Sequence, residues 1–526
     1  MNMIDSFIQH GVTKFCIAPG SRSTPLALAV ADHPKADLTV HYDERGLAFY
    51  ALGHSMATKK PTVVITTSGT AVANLYPAVM EAYHSHVPLI LLTADRPHEL
   101  RNCGANQATD QLKIFNNCIV AQAELSPHLD DHAIHSIIAQ HVNTKGPVHI
   151  NCPFQEPLIR PNIISNLPPI SFFAPHLVAK PFHIKAKRGV ILLGKSDPIP
   201  VLELAKRLQW PVFADILSQA RCTPTSEQIR HFDLIKTDLQ PDFLLHFGER
   251  FISKNILEWA KDIPMAHVSP FPTLQDPIRR LSVRIQSDIA PFCETFSAFT
   301  DPQWLPAWKE LDDAMAQHLN SHFDSPFTEA HAIRNLPSDR PIFFGNSMPI
   351  RLADQFYFPN KAPLIFANRG MSGIDGNIAT IAGLADGFNT PLFAFIGDQT
   401  ALHDLNSLPL LKKHPTLLII SNNYGGAIFD HLSVSQSPHL DRLFTASHSW
   451  SFENSAKMFN IPYIKKEKNL NELPTSGIVE LITDRKENYI FINNTKPIGL
   501  FCNLQKIESN GKRANLEPNG VLQFPQ

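Results

Sequence analysis

The sequence lacks several things that would have settled its class at once. Its seven cysteines (Cys16, Cys103, Cys118, Cys152, Cys222, Cys293 and Cys502) form no C-x-x-C pair and no regular spacing, which argues against a disulfide framework and against a zinc site. They read as reduced core residues. No apolar run reaches the roughly 18 residues that span a bilayer, and the opening MNMIDSFIQHGVTKFCIAPG has no basic lead followed by an apolar stretch. The expectation is a cytoplasmic protein with no membrane insertion. Charge of one sign is also missing: 46 Lys and Arg face 48 Asp and Glu, a net charge of -2, so no field gathers nucleic acid or acidic lipid. A small molecule becomes the default partner. No G-x-G-x-x-G follows any strand-like segment, and a dinucleotide fingerprint is therefore absent.

One phosphate-loop pattern does occur, GVILLGKS at 189–196. Between its glycines the chain reads Val-Ile-Leu-Leu, which predicts a buried strand where a phosphate cradle needs an exposed loop. His84 and His86 in AYHSHVP have no cysteine or carboxylate at ligand spacing and read as structural or surface histidines.

What the sequence does have is length and rhythm. At 526 residues with 44% hydrophobic and 18% charged side chains, it has the balance of a globular protein of about three domains. Short apolar strands alternate with helical patterns over 1–165: KFCIAPG before a helix from Pro25, LTVHYD before a helix from Arg45, PTVVITTSG before a helix from Thr70, then PLILLTAD and GPVHINCP. This predicts a parallel sheet flanked by helices. The stretch 161–182 carries five prolines and no period, the mark of a linker. A middle α/β domain over 183–300 is expected from GVILLGK, WPVFADIL, DFLLHFGER and MAHVSP, and a third over 320–498 from PIFFGNS, PLIFANRG, PLFAFIGD, TLLIISNN and IVELITD, after a helix from Trp304 to about Leu319. The fold class is thus α/β, three doubly wound parallel-sheet domains. The tail, 499–526, has weak periodicity and many polar residues; it is expected to be poorly ordered, and no role is assigned to it.

The most specific text lies in the third domain. FAFIGDQTALHDLNSL ends a strand in Gly397-Asp398, and LLIISNNYGGAIF ends the next in Asn422-Asn423-Tyr424-Gly425. Two adjacent parallel strands would then present oxygen ligands at their carboxyl ends, the usual ligand edge of such sheets. Asp398, the Asn423 side-chain carbonyl and the Gly425 main-chain carbonyl are hard ligands suited to Mg²⁺ holding a diphosphate. Gly425 and Gly426 let backbone approach phosphate, and the helix starting near Gln399 to Ala401 would add N–H donors.

This pair resembles the diphosphate-binding motif of the thiamine diphosphate enzymes, which begins Gly-Asp and ends in Asn some 25 residues later; Asp398 and Asn423 match it. The resemblance implies thiamine diphosphate and Mg²⁺ as cofactors and two similar α/β domains that bind pyrimidine and diphosphate, with a third between them. It implies a glutamate on the first domain that hydrogen-bonds a ring nitrogen of the aminopyrimidine, and Glu44 of YDERGLAFYALG stands where it would fall. Read without the resemblance, Glu44 is a first-turn carboxylate favoured by the helix dipole. Further motifs, IAPGSRSTPLALA, TTSGTAVANLYPAVMEA, LLTADRPHELRNCGANQATDQ, HINCPFQEPL, FGNSMPIRLAD and NRGMSGIDGNIATIAG, are similar to those of the carboligases of menaquinone biosynthesis. Those enzymes decarboxylate 2-oxoglutarate and add the resulting succinyl semialdehyde carbanion to isochorismate.

On that resemblance Ser21, Arg22, Arg96, Asn106, Gln107 and Lys254 fall on the isochorismate side, and Ser347, Arg351 and Arg369 on the carboxylate of the decarboxylated adduct. Ile374 matches the bulky residue that bends the cofactor. Gly397, Gln399, Thr400, Ala427, Ile428 and Phe429 complete the cofactor set. A homodimer or homotetramer is implied, with the first and last domains meeting across a subunit boundary. Gln399, Ser407, Tyr424 and Asp430 depart from the usual pattern and are expected to tune the site. Arginine suits dicarboxylate substrates because its planar fork binds carboxylate bidentately. The alternative is another thiamine diphosphate-dependent 2-oxo acid decarboxylase or carboligase, whose small uncharged acceptor would not need Arg22, Arg96, Gln107 and Arg351. A catalytically silent member of the fold would be expected to lack Glu44, Asp398 or Asn423, and all three are present.

Overall fold

The computed structural model describes residues 3–126, 128–159, 167–173, 175–496, 498–499, 515–516 and 521–523. Three parallel sheets follow one another along the chain. The first lobe holds β1 (Lys14–Ile17), β2 (Asp37–Val40), β3 (Thr62–Thr66), β4 (Leu89–Asp95), β5 (Ala121–Glu124) and β6 (Pro147–Pro153) in the order β2-β1-β3-β4-β6-β5. The central strands are apolar and buried throughout, as parallel strands covered on both faces must be. The edge strands β2 and β5 are half exposed and more polar.

In the middle lobe β7 (His183–Ile184) precedes β8 (Gly189–Leu193), β9 (Val212–Ala214), β10 (Ile235–Lys236), β11 (Phe243–Phe247), β12 (Met265–Ser269) and β13 (Val283–Gln286), with a sheet order β13-β12-β11-β8-β9. The phosphate-loop pattern resolves as expected, since its Gly-Val-Ile-Leu-Leu is β8, wholly buried. Helix Trp304–His322 serves two cores. Trp304, Leu305, Trp308 and Leu311 pack with β8 and β11 residues, whereas Met315 and Leu319 pack into the last lobe. The middle lobe therefore runs past residue 300 along this helix.

The last lobe repeats the first: β14 (Ile342–Phe344), β15 (Ile365–Phe366), β16 (Phe393–Gly397), β17 (Leu417–Asn422), β18 (Tyr463–Lys466) and β19 (Gly477–Ile482) are ordered β15-β14-β16-β17-β19-β18. Of the tail, β20 (Ile498–Gly499) pairs with β10, and β21 (Asn515–Leu516) with β22 (Val521–Gln523), which lies along β7. The rest of the tail, and residues 160–166 and 174 of the proline-rich segment, lie outside the described residues.

The first and last lobes are joined by two helices, Glu44–Thr58 and Asn377–Phe388. Glycines let the backbones touch: a Cβ on Gly53 would stand 2.1 Å from the Thr380 carbonyl oxygen, and one on Gly383 1.9 Å from that of Tyr50. The apolar residues of both helices fill one shared core. At their far end Lys14 of β1, 2% exposed, meets Asp386 at 2.5 Å and Asp37 at 2.9 Å. Lys413 (2.6 Å), His414 (3.1 Å) and the Tyr50 hydroxyl (2.7 Å) also converge on Asp386. Burial pushes the Asp386 carboxyl up, but the bonds from Lys14 and Lys413 outweigh it and hold the group well below the usual carboxylate range.

Candidate active site

At the carboxyl end of the last sheet, β16 turns directly into helix Asp398–His403 and β17 into the loop 423–426. Asp398 is 3% exposed. Its Oδ1 accepts from the Gln399 amide (2.6 Å) and its Oδ2 from the Gly425 amide (2.9 Å), which ties the two strand ends together. Burial pushes its carboxyl up to about 6, against the pull of those backbone donors. Asn423 donates through Nδ2 to Glu329 Oε1 (2.7 Å), and its Oδ1 is left a buried oxygen with no partner among the described residues. A buried acceptor left unpaired is costly. With the Asp398 carboxyl and the Gly425 carbonyl it makes a small oxygen set that fits a hard divalent cation. Among the described residues no three His, Cys, Asp or Glu side chains gather at metal distance, so any cation here would depend on that amide and carbonyl oxygen. Gly397 has open space where a Cβ would point, room for a ligand against backbone.

Two residues of this site carried no sequence signal. Glu329 begins helix Glu329–Arg334, fully buried, and binds Ser421 Oγ, Asn423 Nδ2 and Thr483 Oγ1. It fixes which way the Asn423 amide points. His448 places Nε2 3.3 Å from Asp398 Oδ2. Both approach from segments distant in sequence, and only folding brings them in.

The departures from the usual pattern also find places. Tyr424 adopts a left-handed conformation (φ +62°) with its amide on Asn422 Oδ1 (3.1 Å), and Gln399 donates to the Ala446 carbonyl (3.0 Å). Asp430 forms a two-pronged pair with Arg485, which also reaches Asp441 (2.8 Å). That pair anchors the turn Ala427–His431, which carries Ile428, packed on the last-lobe core, and Phe429, against Phe444. Thr400 is buried in helix Asp398–His403.

On the first lobe, the helix begins at Glu44 itself, one residue earlier than the sequence pattern predicts. Asp43 is its cap, accepting from the Arg45 and Gly46 amides at 3.0 and 3.5 Å, so Glu44 is not needed for capping. Its Oε2 accepts from Asn74 Nδ2 at 3.3 Å. Tyr42 donates to the Asn406 carbonyl (3.0 Å) and Arg45 to the His403 carbonyl (2.9 Å). The helix that starts with Glu44 thus adjoins, within one chain, the end of the helix that starts with Asp398. Nearby, a cavity of about 230 Å³ opens between the lobes, lined by Phe49, Pro77, Met80, Glu81, Met371 and Gly373 among others. Ile374 follows that lining, and Gly376 lies directly against the Phe49 ring.

Of the four arginines, Arg22, Arg96 and Arg369 follow strand ends and Arg351 lies in helix Met348–Phe356. Arg22 donates to the Phe154 carbonyl (3.0 Å), meets the exposed Glu156 (3.2 Å) and leaves Nε buried without a partner among the described residues. Arg96 donates to Ser68 Oγ (2.9 Å), and burial and Arg22 together lower its affinity for its proton. Gln107 (φ +55°) lies against Gly69; Ser21, Asn106 and Gln107 are exposed beside this pair. On the last lobe Arg351 donates to the Ser347 carbonyl and Arg369 to Asn346 Oδ1 (3.0 Å). Burial lowers Arg351, and burial plus Arg351 brings Arg369 down to about 10. Among the described residues neither of these last two forms a carboxylate ion pair. Lys254 is exposed at the start of helix Lys254–Ala260 on the middle lobe.

Comparison with known proteins shows the family. Residues 2–114 match the family described as thiamine pyrophosphate enzyme, N-terminal TPP binding domain, and residues 176–342 match the middle domain of thiamine pyrophosphate enzymes. The chain is 35% identical to the 2-succinyl-5-enolpyruvyl-6-hydroxy-3-cyclohexene-1-carboxylate synthase of Psychromonas ingrahamii over 88% of both chains. It is 35% identical to that of Geobacillus kaustophilus over 92% of this chain and 95% of the relative, and 38% identical to that of Aeromonas salmonicida over 88% of both. With this degree of likeness along nearly the whole chain, the protein belongs to the 2-succinyl-5-enolpyruvyl-6-hydroxy-3-cyclohexene-1-carboxylate synthases, a family of thiamine diphosphate-dependent enzymes.

Proposed function

We propose that the chain decarboxylates 2-oxoglutarate and transfers the remaining succinyl semialdehyde unit to isochorismate, giving 2-succinyl-5-enolpyruvyl-6-hydroxy-3-cyclohexene-1-carboxylate and CO2 in menaquinone biosynthesis. The observation that carries the choice of substrates is the two arginine pairs, Arg22 with Arg96 and Arg351 with Arg369. Each pair holds two cations whose mutual repulsion costs energy, and the Arg351–Arg369 pair lies half-buried with no carboxylate ion pair among the described residues. Such a pair calls for an anionic ligand. Both substrates are dicarboxylates.

The residues divide the work. Asp398, Asn423 Oδ1 and the Gly425 carbonyl would hold Mg²⁺, with Gly397, Gln399 and Thr400 offering backbone and side-chain donors to a diphosphate. Bound thiamine diphosphate supplies the electron sink that decarboxylation of a 2-oxo acid needs. Glu44 would hold a proton at a ring nitrogen of that cofactor, Ile374 would pack against it, and Ala427, Ile428 and Phe429 would exclude water. Ser347, Arg351 and Arg369 orient 2-oxoglutarate; Ser21, Arg22, Arg96, Asn106, Gln107 and Lys254 orient isochorismate. We assign a cytoplasmic location, in keeping with the finding that among the described residues no helix is long and apolar enough to cross a membrane. We assign a homodimer or homotetramer, supported by exposed apolar side chains on the last lobe, Leu443 (64%) and Trp450 (62%) among them.

The test mixes purified protein with thiamine diphosphate, Mg²⁺, 2-oxoglutarate and isochorismate and follows both substrates. Equal consumption is expected; loss of 2-oxoglutarate alone would favour a simple decarboxylase. Glu44→Gln is expected to lower kcat by about 10²–10⁴-fold, the range of a proton-transfer group, with cofactor affinity within a few-fold of wild type by titration.

A further inference from the structure

The segment 369–373 links the two halves of the last-lobe site, since it starts at Arg369 and runs into Ile374. Its backbone is held from outside the lobe by groups of opposite charge. From the first lobe, Glu81 on helix Tyr76–His84 accepts from the Gly370 amide with Oε1 (2.6 Å) and from the Met371 amide with Oε2 (2.7 Å). From the middle lobe, Arg250 donates to the carbonyl oxygens of Arg369 (3.0 Å) and Gly370 (3.3 Å) and to Ser372 Oγ (3.0 Å). The carboxylate takes the donors of the segment and the guanidinium takes its acceptors.

Glu81 is 3% exposed, and among the described residues its only other bond is from Ser85 Oγ at 2.9 Å. A buried carboxylate is kept only where it is well satisfied, and charge-assisted bonds to two successive amides satisfy it. The approach is too close for a side chain at 370: a Cβ there would lie 2.5 Å from the Glu81 carbonyl and 3.0 Å from Oε1. Glu81 also attracts the Arg369 guanidinium, opposing burial and Arg351. Within the lobe Asn346 Nδ2 closes the segment by donating to the carbonyls of Asn368 and Gly373, both at 2.7 Å, and its Oδ1 accepts from Arg369.

We infer that Glu81, seconded by Arg250, is a positioning residue for 2-oxoglutarate recognition: it fixes segment 369–373 from the first lobe so that Arg369 is aimed at the substrate carboxylate. This rests on Arg369 facing that carboxylate. It makes the seating of the first lobe on the last a condition for substrate binding, beyond the part Glu44 plays.

The experiment compares wild type with Glu81→Gln, Glu81→Asp and Arg250→Gln, using 2-oxoglutarate as the probe, and reads hydrogen exchange at Gly370 and Met371 without any ligand. Glu81→Gln turns one acceptor into a donor facing an amide. It is expected to raise the 2-oxoglutarate KM by about tenfold with kcat within about threefold, the pattern of a lost uniform-binding contact, and to speed exchange at both amides. Glu81→Asp is expected to fall between Glu81→Gln and wild type. Unchanged KM, or unchanged exchange, in a folded Glu81→Gln would overturn the inference. If Glu81→Gln does not fold, the exposed Arg250→Gln decides: a KM raised about threefold supports positioning, and wild-type KM refutes it. Should wild type fail to consume 2-oxoglutarate, the functional reading falls, while the exchange result still judges the hold on the segment.

Discussion

The first and last lobes are the same sheet built twice, with different side chains at matching strand ends. Their strand orders, β2-β1-β3-β4-β6-β5 and β15-β14-β16-β17-β19-β18, correspond strand for strand. Corresponding strand ends carry different groups. After β3 comes Ser68-Gly69, and after β16 comes Asp398; after β4 comes Arg96, and after β17 comes Asn423; after β2 comes Glu44, and after β15 comes Arg369. Only the ends of β1 and β14 agree, each followed by a serine and an arginine: Ser21 with Arg22, Ser347 with Arg351. The architecture thus decides where a ligand edge lies, and the residues at that edge decide what it does.

The comparison breaks most completely at Asp398. Asp398→Ala is expected to lower activity by about 10³-fold or more at fixed cofactor, since a bound metal ion contributes several kcal/mol, and to abolish the Mg²⁺ dependence of cofactor binding by titration. No first-lobe residue at the matching position, Ser68 included, should have a comparable effect on metal binding.

Next comes the ion-pair cluster that seats one lobe on the other. Asp386→Asn leaves Lys14 buried with only Asp37, and it should cost about 3–5 kcal/mol of stability in denaturant unfolding, as breaking a buried pair does. The pH sign follows from the depressed carboxyl. With a folded value below the unfolded one of about 3.9, the contribution is full above that pH and is lost as pH falls through the folded value. Wild type and Asp386→Asn should therefore converge in stability in strong acid.

The smallest effects sharpen the comparison rather than break it. Arg369→Ala should raise the 2-oxoglutarate KM by about 10–100-fold and Arg96→Ala the isochorismate KM by a similar factor, the range for a lost charge-assisted bond, each leaving the other KM nearly unchanged. Crossed or equal effects would show that the two arginine pairs do not divide the substrates in this way.

Most of the scaffold was legible because a buried parallel strand must be an uninterrupted apolar run, as TVVIT, LILLTAD and LLIISN are. Among the strands that escaped, β5 (AQAE), β13 (VRIQ) and β18 (YIKK) are edge strands with one side wet, and their polar residues hide the period. In the candidate site, Asp398 and Asn423 could be singled out because they are local to strand ends. Glu329, His448 and Glu81 were not: each acts on a segment between 50 and 290 residues away, and no local pattern marks such a partner. Asp43 shows a subtler case, since Asp-Glu at a helix start leaves open which carboxylate caps, and the geometry gives the cap to Asp43 and frees Glu44.

The central claim is that the two like-built lobes hold one cofactor between them, the first by a carboxylate and the last by a cation. A crystal structure with thiamine diphosphate and Mg²⁺ tests it most directly. The account predicts the diphosphate and metal on Asp398, Asn423 and Gly425, with the pyrimidine within hydrogen-bond reach of a Glu44 carboxylate. A cofactor bound away from Asp398, or with its pyrimidine out of reach of every Glu44 in the assembly, would contradict it.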